Sequence, residues 1–143
     1  MSDSCIFCKI IRGEIPSHKV YEDEKTLAFL DINPTAPGHT LLIPKAHVSN
    51  VEDLALEDAE SLFRALHTIV GGIQKAMEAP ASTIGVNNGR ESGQEIPHVH
   101  IHIIPRRIGD KLGIIQNVEF ITKPSMEELA FNAEKIREKV GQS

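Results

Sequence analysis

The sequence predicts an α+β fold with a mainly antiparallel sheet of about five strands, one long central helix and a C-terminal helix. Two observations lead there. Between residues 18 and 44, and again between 83 and 104, the apolar residues fall into short runs or alternations typical of strands, joined by links too short for crossover helices. One longer stretch instead spaces its apolar residues three and four apart, the period of a helix packed on one face, and a capping-box spacing marks the start of a second helix near the C-terminus. No internal repeat, low-complexity tract or linker-like shift interrupts the chain, so a single domain over residues 1–143 is expected.

Gly13 and Pro16 punctuate a turn, after which His18–Glu22 forms a first short strand. Thr26–Asp31 supplies a second. Asn33–Gly38 must be a loop, because two prolines and a glycine in six residues suit neither a helix nor a central strand. His39–Pro44 resumes as a third strand. The long helix runs from about Leu56 to Met77, with Ala59, Leu62, Phe63, Leu66, Ile69, Val70, Ile73 and Met77 on one face. Gly71 and Gly72 weaken it by about 1 kcal/mol each relative to Ala, a loss that packing on the sheet must offset. Thr83–Asn87 is a fourth strand, and Asn88–Gly93 a polar turn before the fifth. The last helix starts near Ser125, where Ser125 and Glu128 have capping-box spacing, and ends at Gly141.

With 41% hydrophobic and 24% charged residues, the composition is that of an ordinary globule able to build a core. A net charge of -5 argues against a broad electrostatic hold on nucleic acid. There is no apolar run of membrane-spanning length, and Met-Ser-Asp-Ser lacks the basic and apolar regions of a signal peptide, so a cytoplasmic location is expected. The two cysteines, Cys5 and Cys8, form a C-x-x-C pair. In a reducing compartment that spacing points to metal or redox chemistry more than to a structural disulfide.

The segment richest in chemistry is His98-Val99-His100-Ile101-His102-Ile103-Ile104, three histidines in strict alternation with apolar residues. On a strand, Val99, Ile101 and Ile103 face a core and three imidazoles line the opposite face. A single metal cannot use all three. At a rise of about 3.3 Å per residue, His98 and His102 are roughly 13 Å apart, whereas Zn–N bonds are about 2.0–2.1 Å. The histidines therefore divide their labour, the alternative being structural histidines with satisfied hydrogen bonds.

Three segments carry a family resemblance. The histidine strand resembles the histidine-triad signature, and Val86-Asn87-Asn88-Gly89 through Gly93-Gln94 is similar to the loop that precedes it. Asp31-Ile32-Asn33-Pro34, with Pro37-Gly38-His39 through His47, resembles the ribose-binding and second-histidine segment. Cys5–Gly13 is similar to the N-terminus of many bacterial members. On these motifs the chain is identified as a member of the histidine-triad (HIT) superfamily, most like its small Hint branch.

The resemblance implies a HIT-like fold and a two-step reaction at the α-phosphate of a purine nucleoside phosphoramidate or related nucleotide. His100 would be the nucleophile, forming a nucleotidyl-histidine that water resolves. A neutral imidazole suits that task near pH 7 if its other nitrogen donates to a fixed acceptor such as a backbone carbonyl. His102 and His39 would donate to phosphate oxygens or protonate the leaving group. Asn87 and Gln94 match phosphate contacts, with turn chemistry as their alternative role. Asp31 matches the ribose ligand, and Phe7, Ile10, Phe29, Ile32 and Leu41 match the apolar slot for the base. Glu95 departs from the small polar residue common in eukaryotic relatives. The resemblance also implies a homodimer in which two copies share one extended sheet.

Cys5, Cys8, His47 and His98 form a Cys₂His₂ set, the composition of a closed structural zinc site, and bacterial relatives with this pattern are similar in binding zinc. Free thiols remain an alternative. A thioredoxin-like redox pair is another, although it calls for a strand leading into the C-x-x-C. Two further functional readings compete with the nucleotide enzyme. One is a dinucleoside polyphosphate hydrolase, and the other is a zinc-binding interaction protein with a vestigial triad.

Overall fold

The computed structural model describes residues 4–110 and 123–140. In chain order the elements are α1 (Ile6–Ile11), β1 (Lys19–Glu22), β2 (Thr26–Leu30), β3 (Thr40–Pro44), α2 (Leu56–Ala76), β4 (Ala81–Gly85), β5 (Ile101–Arg106) and α3 (Met126–Val140). The five strands form one sheet in the order β1-β2-β3-β5-β4. Every neighbouring pair is antiparallel. The α+β fold class with its five-stranded antiparallel sheet is thus the observed one.

Because successive side chains point to opposite faces, β2 and β3 feed two cores at once. Ala28, Leu30, Leu42 and Ile103 pack beneath α2 and α3 with Leu62, Leu66, Ile69, Ile73, Leu129 and Ile136. On the other face Leu27, Phe29, Leu41 and Ile43 pack with Cys5, Phe7, Cys8 and Ile10 of the α1 segment. Both central strands are consequently buried along their whole length. The register Leu41↔His102 sets the third histidine of the motif on the α1 face, beside Phe29 and Leu41.

Several expectations shift. The α1 helix was not expected. It is six residues long, is capped by the Cys5 side chain, which accepts from the Cys8 N–H, and is held by its buried Phe7, Cys8 and Ile10. β4 begins two residues earlier than Thr83 and ends at Gly85. In α2 the buried face is Leu62, Ala65, Leu66, Ile69, Ile73 and Ala76, whereas Phe63 is 67% exposed. Gly72 is explained by α3 rather than by the sheet: a Cβ there would lie 2.4 Å from Val140 Cγ1, so the glycine lets the two helices approach. At α3 the capping box forms as expected, Ser125 Oγ accepting from the Glu128 N–H and Glu128 Oε1 from the Ser125 N–H, both at 3.1 Å. The expected end at Gly141 lies outside the described residues. Among the described residues no helix is long and apolar enough to cross a membrane.

Candidate active site and metal cluster

The histidine motif is not a regular strand along its whole length. β5 starts only at Ile101, because the preceding backbone bonds elsewhere: the His98 N–H donates to Ile96 O at 2.8 Å and the Val99 N–H to Val48 O at 2.9 Å. The imidazoles nevertheless form a continuous row. Ring centroids are 5.1 Å apart for His47 and His98, 5.0 Å for His100 and His102, and 5.2 Å for His102 and His39. Phe7 bridges the middle of the row, edge-on to His98 at 5.7 Å and to His100 at 5.2 Å.

At one end of the row four ligand atoms converge. His98 Nδ1 lies 3.4 Å from Cys5 Sγ, 3.7 Å from Cys8 Sγ and 3.2 Å from His47 Nδ1, and His47 Nδ1 lies 3.2 Å from Cys8 Sγ. Tetrahedral zinc, with Zn–S of about 2.3 Å and Zn–N of about 2.0–2.1 Å, sets S···N edges near 3.5 Å and N···N edges near 3.3 Å. The residues therefore fit zinc in number, type and spacing. The outer shell fits as well: His98 Nε2–H donates to Pro44 O at 2.8 Å, leaving Nδ1 for a metal. Among the described residues no strand leads into the C-x-x-C, as a thioredoxin-like pair would need; Cys5 instead caps a helix.

At the centre, His100 Nδ1–H donates to His98 O at 2.8 Å, which fixes the tautomer and leaves Nε2 with its lone pair. Burial pushes the His100 imidazole below its usual pKa, against the opposing pull of that carbonyl and of the Glu95 carboxylate. At the far end, His39 Nδ1 accepts the Thr35 N–H at 3.0 Å and His39 Nε2 lies 3.0 Å from His102 Nδ1. Burial lowers the pKa of His39 to about 3 and that of His102 to about 4, and both shifts are reinforced by neighbouring imidazoles. Asp31 Oδ2 stands 3.7 Å from His39 Nε2, yet this is no ion pair while His39 is neutral. Burial raises the Asp31 carboxyl above its usual value, partly offset by the Asn33 N–H.

Phe7, Ile10, Phe29 and Leu41 come together in one buried cluster, while Ile32 stands apart from them, 52% exposed. Asn87 follows β4, and its amide makes no side-chain hydrogen bond among the described residues. Gln94 is fully engaged: Nε2 donates to Ser49 O at 2.8 Å and Ile96 O at 3.1 Å, and Oε1 accepts the Gly89 N–H at 2.8 Å. These bonds brace the loop. Sequence reasoning passed over Asn88, whose Oδ1 accepts the Val51 N–H at 2.8 Å and whose Nδ2 donates to Glu52 at 2.9 Å. It also passed over the Thr35 amide, for a side-chain pattern carries no mark of a backbone donor.

A family model for the HIT domain matches residues 12–109. The chain belongs to the HIT family. Protein hit of Bacillus subtilis (strain 168) is 48% identical over 115 residues, spanning 80% of this HIT chain and 79% of the relative. Adenosine 5'-monophosphoramidase HNT1 of Saccharomyces cerevisiae is 44% identical over 115 residues, spanning 78% of this chain and 68% of the relative. A Zn-bound histidine triad family protein from Mycobacterium smegmatis superposes with a TM-score of 0.83 at 31% identity, covering 97% of this chain and 94% of that one.

Proposed function

We propose that this HIT protein cleaves purine nucleoside phosphoramidates or related nucleotides at the α-phosphate through a nucleotidyl-His100 intermediate. The observation that carries this reading is the 2.8 Å bond from His100 Nδ1–H to His98 O, which leaves Nε2 as a neutral, directed nucleophile. Nε2 attacks phosphorus, the phosphorus–nitrogen bond breaks, and the leaving amine takes its proton from solvent, while neutral His102 donates a hydrogen bond from Nε2–H to a phosphoryl oxygen. Water then attacks the phosphoryl group, the phosphorus–Nε2 bond breaks, and the water proton passes to solvent as the nucleoside monophosphate leaves. The nucleotide would be held with its base against Phe7, Ile10, Phe29, Leu41 and Ile32, its ribose hydroxyls on Asp31 and its phosphate near Asn87. Gln94 would serve by keeping the loop in place. The name of the yeast relative, an adenosine 5'-monophosphoramidase, supports the substrate class.

Cys5, Cys8, His47 and His98 would hold a zinc ion whose role is structural, clipping the α1 segment to the residues that precede β5. A homodimer is supported by the sheet's edges. Arg137 of α3 donates to Lys19 O at 2.7 Å on β1, which leaves β4, with Ile84 46% exposed, as the rim that is open among the described residues.

Turnover of adenosine 5'-phosphoramidate by wild type and His100→Ala tests the assignment. A loss of about 10³-fold or more in kcat, roughly 4 kcal/mol of transition-state stabilisation, is expected, with nucleotide binding retained. Retention of a tenth of wild-type kcat would sink it. Faster cleavage of dinucleoside polyphosphates than of phosphoramidates would redirect the substrate class.

A further inference from the structure

Asp31, His39 and His102 have the composition of a metal site, and their ligand atoms all lie within 4.8 Å of one another. Their hydrogen bonds say otherwise. The Thr35 N–H is a donor only, so the His39 Nδ1 it meets at 3.0 Å must be the unprotonated nitrogen. A neutral His39 then carries its proton on Nε2, and the partner 3.0 Å away, His102 Nδ1, must accept it. His102 in turn carries its own proton on Nε2. A His39 protonated on Nδ1, whether as the other tautomer or as imidazolium, would set two N–H groups against each other.

We infer that the peptide N–H of Thr35 is a positioning group that locks His39 and His102 as Nε2–H tautomers and closes the Asp31–His39–His102 cluster to divalent cations. A metal bound to His39 Nε2 needs that nitrogen's lone pair, which moves the proton to Nδ1 and breaks the Thr35 bond. It also displaces the His39–His102 bond. The loop that carries the amide is stiff: Pro34 and Pro37 bracket it, the His39 N–H donates to Ala36 O at 3.0 Å, and the Asp31 N–H donates to His39 O at 2.9 Å. Gly38, at φ 86°, fits under Met77, where a Cβ would lie 2.4 Å from Cγ. The amide therefore cannot swing aside to admit a metal. The catalytic consequence, that His102 always presents Nε2–H, rests on the proposed phosphoryl-transfer reading. The tautomers and the metal exclusion do not.

The test uses the zinc-loaded full chain with ¹⁵N-labelled histidine. Long-range ¹H–¹⁵N spectra at pH 7 are expected to show unprotonated Nδ1 and protonated Nε2 for His39 and His102, and the reverse for His100, an internal control. Cobalt(II) added to the zinc-loaded protein should give no new d–d absorption. A His102 protonated on Nδ1 would overturn the lock, and so would cobalt absorption in wild type that Asp31→Asn removes. Thr35→Pro deletes the donor. That variant should bind cobalt, show mixed tautomers at His102 and lose about tenfold in kcat at similar KM, part of the roughly 10²–10³-fold that a positioned hydrogen-bond donor to the developing charge contributes. If it folds, keeps both tautomers and still rejects cobalt, Thr35 is not the lock. If it does not fold, the wild-type spectra and cobalt titration decide. Absence of phosphoramidate turnover would count against the proposed reaction and leave these two measurements standing.

Discussion

The carbonyl oxygen of His98 lies 2.8 Å from Nδ1 of His100, while the His98 ring sits in the cysteine–histidine cluster. One residue thus faces two tasks, its side chain toward a candidate metal and its backbone toward the candidate nucleophile.

Metal analysis of protein purified without chelators should therefore find one zinc per chain. Cys5→Ser should lower Tm by about 10 °C, the scale of a few kcal/mol in a chain this size, and alter the chemical step less than it alters stability. Zinc content near zero with both thiols freely titratable would show the cluster to be metal-free.

Acid should destabilise the fold through His39. Its folded pKa, about 3, lies below the ordinary imidazole value of 6.5, so the stabilising contribution is complete above pH 6.5. As pH falls from there the unfolded chain takes up a proton that the folded chain refuses until near pH 3, and stability drops by about 1.4 kcal/mol per pH unit. Urea titrations between pH 6 and pH 4 should give a shallower slope for His39→Asn by about that amount. Zinc release on acidification is common to both proteins and drops out of the comparison. Parallel slopes would contradict the assignment.

Gly38→Ala combines a left-handed backbone, φ 86°, with a Cβ 2.4 Å from Met77 Cγ and 2.7 Å from its Sδ. The expected cost is about 2–4 kcal/mol by chemical denaturation. Activity should fall as well, since the next residue is His39. Pairing it with Met77→Ala should recover the steric part alone.

The open rim predicts association. Wild type should sediment at twice the 15.7 kDa chain mass at micromolar concentration, and Ile84→Lys combined with Val86→Lys should give a folded monomer. A monomeric wild type would remove the dimer from the reading.

Much of this was legible in the sequence. β2, β3 and the proline-rich loop between them follow from apolar runs and from the φ restriction of Pro34 and Pro37. The C-x-x-C pair points to metal by its ligand chemistry, and the family resemblance adds His47 and His98 to it. What escaped was set by tertiary contact. α1 is too short to register as a period and is held by Phe7 and Ile10 in the core. The late start of β5 depends on Val99 bonding to Val48, far away in sequence. The bracing bonds of Gln94 escaped because an amide reads the same in a sequence whether it faces a phosphate or a carbonyl. Phe63 fitted the helical period but sits at the margin of the buried stripe.

The bracing of the 88–96 loop bears on how fast a ligand can come and go. With Gln94 joining Gly89, Ser49 and Ile96, and Asn88 joining Val51 and Glu52, the rim of the site is built before anything arrives. A ligand entering past residues 88–96 has no need to order that loop. Encounter should then proceed without a slow closing of this loop, and preference among ligands should be expressed in residence time rather than in the rate of capture.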